Sequence, residues 1–279
     1  MGEAETIANT CMDTNPMVRT RQSLAGDLYR LGLRPGMTVL VHSSLSSLGW
    51  VCGGPVAIVQ ALCDAITSAG TLVMPAHSGD YSDPCYWQNP PVPKEWWQTI
   101  RETMPAYEPE ITPTRGMGAI PETFRTFPGV LRSSHPALSF TAWGKDAAVI
   151  TRGHTLDNAL GEGSPLARIY ERDGWVLLLG VGYENNTSFH LAEYRIPVRA
   201  PFDAGAPVLE AGQRVWKRYK DIEFHMEFFA ELGREFEARE SVSHPVIQGK
   251  VGSAAARLFP QRAAVDFAAE WLKDKYESS

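Results

Sequence analysis

Apolar residues along the chain follow two spacings. After Arg19, Leu24, Leu28 and Leu31 recur at helical intervals, and Gly32 with Pro35-Gly36 ends the run. Met37-Thr-Val-Leu-Val-His42 follows as an apolar, β-branched stretch, the pattern of a strand buried on both faces. A Ser- and Gly-rich turn then leads into a helix beginning near Pro55 and running to about Ser68. Thr71-Leu-Val-Met-Pro75 reads as a second buried strand. Strand, loop, helix, strand in that order predicts a parallel α/β arrangement. Further strands are expected at Ala137 to Trp143, Ala148 to Ile150 and Trp175 to Val181, with a β-hairpin over Val208 to Asp221 turning at Ala211-Gly212. Helices are expected near Ile120 to Phe127, Thr187 to Tyr194, Phe224 to Arg239 and Ser253 to Lys273. The fold class is α/β (α+β): a central mixed, largely parallel sheet flanked by helices, with a C-terminal hairpin plus helices.

Residues 77 to 118 depart from this rhythm. They hold Asp80, Tyr81, Asp83, Tyr86, Trp87, Trp96, Trp97 and Tyr107 among seven prolines. A long aromatic, Pro-rich excursion inside a domain marks a binding insertion or small subdomain. Residues 1–18 read as a polar, flexible N-terminus and 19–279 as a single domain.

Composition narrows the function. With 279 residues, 44% hydrophobic and 21% charged, the chain can bury a core without staples. A net charge of −6 argues against a nucleic-acid partner and mildly favours a cationic small ligand. The longest apolar run, Trp175 to Val181, falls far short of the roughly 18–20 residues that span a bilayer. The N-terminus lacks the pattern of a secretory signal. Gly2 and Thr6 formally match a myristoylation motif, but no basic cluster follows to anchor a lipid, so no membrane association is expected. Cys11, Cys52, Cys63 and Cys85 have neither zinc nor disulfide-scaffold spacing; free thiols and a cytoplasmic location are expected.

Several chemistries drop out. There is no phosphate-binding GxxxxGK[ST] loop, no GxSxG nucleophile elbow and no HExxH. His190 and Glu193, three apart on a helix, have no second carboxylate–His pair to complete a metal site, and no metal is expected. Three segments remain. The loop His42 to Gly49 presents backbone N–H groups and the hydroxyls of Ser43, Ser44 and Ser46 at a helix entry, a cradle for an anion such as pyrophosphate. Gly180-Val-Gly ends an apolar strand before a helix that Asn186 or Thr187 can cap, which sets His190 and Glu193 near the sheet's carboxyl edge. Asp221 and Glu223 alternate with Ile222 and Phe224, so both carboxylates are expected on one strand face.

Six stretches resemble the aminoglycoside 3-N-acetyltransferase family, in order along nearly the whole chain. They are Val41-His-Ser-Ser-Leu-Ser-Ser-Leu-Gly-Trp-Val-Cys-Gly-Gly54, Met74-Pro-Ala-His-Ser-Gly-Asp-Tyr-Ser-Asp-Pro84, Thr114-Arg-Gly-Met-Gly-Ala-Ile-Pro-Glu122, Arg132-Ser-Ser-His-Pro-Ala-Leu-Ser139, Glu162-Gly-Ser-Pro165 and Asn185-Asn-Thr-Ser-Phe-His-Leu-Ala-Glu193. The resemblance implies acetyl-CoA as donor and an amine of a 2-deoxystreptamine antibiotic as acceptor. It implies a cofactor wall from His42, Ser43, Ser44, Ser46, Leu48, Gly49, Val51 and Gly53, with Thr114, Met117 and Gly118 approaching from a second side and Ser133, His135 and Pro136 nearby. It implies His190 as the catalytic histidine, Asp221 and Glu223 as an acidic pair against the antibiotic or behind that histidine, and Asp80 and Asp83 on the acceptor side. Ala76 and His77 stand where some members carry Thr or Phe.

The chemistry agrees with this implication. A polycationic acceptor calls for carboxylates, for which Asp80, Asp83, Glu184, Asp221 and Glu223 are available, with Tyr81 beside them. The attacking amine must lose a proton, a task suited to a histidine whose tautomer Glu193 or Asp221 fixes. Backbone N–H groups or the hydroxyls of Ser43, Ser44 or Thr187 are candidate oxyanion donors. Transfer is expected to be direct, in a monomer or homodimer. The competing readings are a different amine acceptor within the same fold, and a catalytically silent CoA-binding protein.

Overall fold

A computed structural model describes residues 18–197, 200–239 and 246–277. The expected flexible N-terminus, including Cys11 and the Gly2/Thr6 motif, lies outside them apart from Val18. The first helix, α1 (Arg21–Leu31), starts at a reciprocal cap in which Thr20 and Ser23 satisfy each other's backbone N–H groups. β1 (Thr38–Ser43), α2 (Gly54–Ile66) and β2 (Thr71–Pro75) follow as the pattern predicts.

The insertion contains α3 (Trp97–Thr103) and two 3₁₀ turns, and the pairing of Arg115 N–H with the His77 carbonyl closes its base. Next come α4 (Ala119–Phe124), β3 (Leu131–Arg132), β4 (Phe140–Gly144), α5 (Ala147–Thr151), α6 (Pro165–Glu171), β5 (Trp175–Leu179) and α7 (Ser188–Glu193). The hairpin β6 (Pro201–Glu210) and β7 (Gln213–Ile222) turns at Ala211-Gly212, both at positive φ, the two-residue geometry that matches strand twist. The chain continues through α8 (Phe229–Ala238), β8 (Ile247–Val251), β9 (Ala254–Pro260) and α9 (Gln261–Glu277).

The seven-stranded sheet has the order β3-β4-β2-β1-β5-β9-β8. β2, β1 and β5 pair in parallel at its centre; β4 and β9 run the opposite way, so five strands share one direction. Successive residues of the central strands feed two cores. Val39, Val41, Leu72, Met74, Leu177 and Leu179 face α1, α2 and α4, while Leu40, Val73, Val176 and Leu178 face α5 to α9. Near-continuous apolar runs arise because helices cover both faces.

Three expectations differ from the structure. Ala148 to Ile150 is helical, because three apolar residues are too few for periodicity to separate strand from helix; Ile150 N–H bonds the Asp146 carbonyl. The helix expected from Ser253 begins only at Gln261. The Ala-rich segment before it is β9, whose five-residue ladder with β5 overrides helical propensity. The helix expected from Phe224 starts as α8 at Phe229, after a 3₁₀ turn over Met226–Phe228.

Candidate active site

The carboxyl ends of the parallel strands open on a cleft of about 330 Å³, the edge where α/β sheets gather ligands. His42 and Ser43 come from the end of β1, Pro75 and His77 from the end of β2, and Val181 from the turn after β5. Glu184, Asn186, Thr187 and His190 form one wall; Phe224, Met226 and Phe229 form another, and Gly116 and Met117 reach in from the insertion.

The turn after β5 is built tightly against the serine loop. Ser47 Oγ lies 3.0 Å from both the Gly180 carbonyl and Ser44 Oγ, and Ser44 Oγ lies 3.2 Å from Ser46 Oγ. Gly180 has φ +72°, and a Cβ there would sit 2.5 Å from the Ser47 Cβ, so only glycine fits. Beyond it, the Asn186 side chain accepts from Ser188 N–H at 3.2 Å and starts α7.

All six residues of α7 are buried. At i,i+3 spacing, His190 Nδ1 lies 2.6 Å from Glu193 Oε2. The other carboxylate oxygen, Oε1, accepts the His225 backbone N–H at 2.9 Å. A carboxylate only accepts, so Nδ1 carries a proton, and in the neutral ring Nε2 is the nitrogen left with a lone pair for the cleft that His190 lines. The ring is held by Phe224 and Phe229, with centroids 4.3 and 4.9 Å away. Glu193, not Asp221, thus fixes the tautomer.

The neighbouring imidazoles differ. Burial, with the nearby His190 adding, presses His42 down to about 3, and the ring stays neutral 3.4 Å from Thr187 Oγ1. Burial, with His190 and His42 adding, also brings His77 down to about 3. Three cleft-lining polar atoms are shut from water and find no hydrogen-bond partner: Ser43 Oγ, His77 Nε2 and Asn186 Nδ2. A polar ligand held in the cleft could pair with them.

Of the residues anticipated for the cofactor, His42, Ser43 and Met117 line the cleft. Ser44, Ser46, Gly49 and Gly53 lie on the adjoining loop, whereas Leu48 and Val51 point into the core. Thr114 N–H and Oγ1 are clamped by Glu122 Oε2 at 2.9 and 2.7 Å, and Gly118 caps α4, so this loop is set by a carboxylate the sequence reading did not single out. Ser133, His135 and Pro136 are buried outside the cleft lining: Ser133 Oγ is 2.9 Å from His154 Nδ1, and His135 Nδ1 accepts from Leu138 N–H at 3.0 Å.

The acidic residues separate. Glu184 alone of the five lines the cleft. Asp83 is held by Arg101 at 2.7 and 3.0 Å, and Asp80 faces Arg115 at 3.6 Å in a neighbouring hollow of the insertion. Tyr81 packs edge-on against Tyr107. Asp221 is buried and accepts the Tyr194 hydroxyl, with burial pushing its carboxyl up. Glu223 is exposed: β7 stops at Ile222, so the alternation that would keep the two acids on one face ends between them. A larger hollow, about 650 Å³, opens beside Glu193 and Tyr194, but its acids are engaged, Asp157 by Lys220 N–H and Glu162 by Arg195. Among the described residues, no cluster of His, Cys, Asp and Glu could hold a metal, and no helix is long and apolar enough to cross a membrane.

Comparison with known proteins places this geometry in context. A profile of the family described as aminoglycoside 3-N-acetyltransferase matches residues 40–273. The SPbeta prophage-derived aminoglycoside N(3′)-acetyltransferase-like protein YokD of Bacillus subtilis is 54% identical over 262 residues, covering 94% of this chain and 95% of that protein. Aminoglycoside N(3)-acetyltransferase IX of Micromonospora chalcea is 34% identical, with coverage of 92% and 94%. The crystal structure of YokD superposes with a TM-score of 0.93 at 51% identity, covering 97% of this chain and 99% of that one. Two further structures, AAC-IIIb in a binary complex with CoASH and AAC-VIa bound to sisomicin, each have a TM-score of 0.82 at 32% identity. Each covers 93% of this chain, and 98% and 99% of their own.

Proposed function

The chain belongs to the aminoglycoside 3-N-acetyltransferase family, and we propose that it moves the acetyl group of acetyl-CoA directly to the 3-amino group of a 2-deoxystreptamine aminoglycoside, with His190 as general base. One observation carries this reading: the buried His190–Glu193 pair, with Nδ1 held at 2.6 Å and a basic Nε2 left to the cleft. The related structures bound to CoASH and to sisomicin support the two ligand classes. The unpartnered polar atoms of Ser43, His77 and Asn186 suit the amide and carbonyl groups of a thioester cofactor.

The step balances without an acyl-enzyme. The acceptor amine nitrogen bonds to the thioester carbonyl carbon while its proton passes to His190 Nε2. The C–S bond then breaks, and the thiolate leaves as thiol with the proton His190 accepted. Glu193 stabilises the imidazolium formed in between. Glu184 supplies carboxylate charge at the cleft.

A thiol-release assay with acetyl-CoA and a panel of aminoglycosides tests the reading, with the acetylated nitrogen located by NMR. His190→Ala should lower kcat by about 10²- to 10⁴-fold while CoA affinity holds. Retention of more than about a third of the activity would assign the proton to another group. A second reading, a different amine acceptor, draws support from the arginine pairing of Asp80 and Asp83, which removes two of the charges a polycation would seek. Product from an unrelated amine alone, with none from the antibiotics, would select it.

A further inference from the structure

Three strand ends meet at the cleft floor, and each leads to a histidine. His42 lies in β1, His77 two residues beyond β2, and His190 on the helix that follows β5. Since β1 lies between the other two strands, His77 and His190 flank His42 and Ser43 from opposite sides. The general base and the serine loop account for His190 and Ser43. His77 takes no part in the proton transfer, yet it lines the cleft, its ring stands edge-on to Phe140, and its Nε2 has no hydrogen-bond partner.

An amine delivering its proton to His190 must meet the acyl carbon at near contact, about 3–3.5 Å. With the amine on the His190 side, a carbonyl oxygen turned away from the base would face the β1–β2 side of the floor. The group needed there is a neutral N–H or O–H donor. A carboxylate would repel the developing negative charge, and a cation would repel a protonated acceptor approaching the same cleft. We propose that His77 is an oxyanion donor, its ring N–H hydrogen-bonding the carbonyl oxygen of the transferred acetyl group from the side opposite His190. The proposal rests on the acetyl-transfer reading above. As the C–N bond forms, the carbonyl π electrons move onto this oxygen; they return to re-form C=O as the C–S bond breaks, and the His77 proton stays on its ring. Burial, which lowers His77 to about 3, leaves its ring neutral near pH 7, with one nitrogen protonated and the other not. Such donors count because they are fixed before charge appears.

The test compares wild type, His77→Phe and His77→Gln. Phenylalanine fills the niche against Phe140 without a donor, and glutamine restores an N–H. His77→Phe should lower kcat by about 10²-fold, with the CoA dissociation constant changed less than about two-fold, and His77→Gln should recover at least about ten-fold of the loss. A folded His77→Phe enzyme within about three-fold of wild-type kcat would overturn the assignment, as would a loss confined to acetyl-CoA affinity. Should His77→Phe not fold, the wild-type protein labelled with ¹⁵N-histidine is titrated with a ketone analogue of acetyl-CoA in which methylene replaces sulfur. The His77 N–H resonance should move downfield on binding; an unmoved resonance at saturation refutes the contact. Thiol release by the wild type is measured first, so failure of transfer is read separately from failure of His77.

Discussion

Replacing Glu193 by glutamine keeps shape, removes the negative charge and changes what the group can donate and accept. The carboxylate now accepts twice, from His190 Nδ1 at 2.6 Å and from the His225 backbone N–H at 2.9 Å. The backbone donor cannot reverse, so in Glu193→Gln the amide oxygen stays with His225 and the NH₂ faces Nδ1. Nδ1 must then accept, and the ring proton moves to Nε2, the nitrogen proposed to take the proton from the amine. The proposed base is therefore removed while the imidazole stays in place. Because positioned proton transfer contributes about 10²- to 10⁴-fold, kcat should fall by a factor in that range. Both hydrogen bonds to the carboxylate become neutral ones, and no longer burying a charge offsets part of that loss, which leaves a cost of about 1–2 kcal/mol. That corresponds to a melting temperature lower by roughly 2–8 °C. Thiol-release kinetics give the first number, calorimetry the second, and ¹⁵N shifts of His190 report the tautomer. A folded Glu193→Gln enzyme with an Nε2–H tautomer and more than about a third of wild-type kcat would refute the reasoning.

Asp83→Asn should leave the KM for a polycationic acceptor within about two-fold, since Arg101 already neutralises the carboxylate, whereas Glu184→Gln should raise it several-fold; steady-state kinetics decide. Burial pushes the Glu122 carboxyl up, but hydrogen bonds from Arg125 and Thr114 outweigh this and hold it at about 2. Its contribution to stability is present above about pH 4.5 and lost as pH falls toward 2; Glu122→Gln should flatten that part of the melting-temperature profile. His42, His77 and His154 have folded pKa values near 3, 3 and 4, below the usual 6.5, so the unfolded chain binds more protons. Stability should accordingly be full above about pH 6.5 and decline as pH drops through 6 to 4 in denaturant titrations, and a flat profile there would contradict the burial of these rings. Gly180→Ala should cost about 1–3 kcal/mol through the Ser47 contact and weaken CoA binding by displacing the serine loop, measurable by denaturation and calorimetry.

The sequence reading reached the parts of the fold in which local and global preferences agree. β1, α2, β2 and the Ala211-Gly212 turn carry their own periodicity and turn residues and stand where that pattern put them, although the hairpin's first strand reaches back to Pro201 rather than the expected Val208. β9 did not show itself, because its alanines favour a helix in isolation and only the ladder with β5 makes them a strand. His190 and Glu193 were legible as a pair because three-residue spacing on a helix fixes their contact. The second hydrogen bond of Glu193, to a residue 32 positions later, has no local trace. Asp80 and Asp83 looked like acceptor charges because their arginines, Arg115 and Arg101, are separated from them in sequence and met only in the folded insertion. His77 was visible as an oddity beside β2. Its unpartnered nitrogen depends on what surrounds it.

Glu193 also ties two pieces of the protein together. One oxygen holds the ring on α7; the other holds the start of the segment through Phe224, Met226 and Phe229, which walls the cleft. A ligand that pushes this wall outward pulls on the same carboxylate that sets the histidine proton, and one that packs the wall inward tightens it. Under the proposed mechanism, fit of the acceptor and readiness of the base would thereby be mechanically geared. A poorly fitting amine would meet a histidine whose proton is less firmly assigned, and discrimination among acceptors would be expressed in turnover as well as in occupancy.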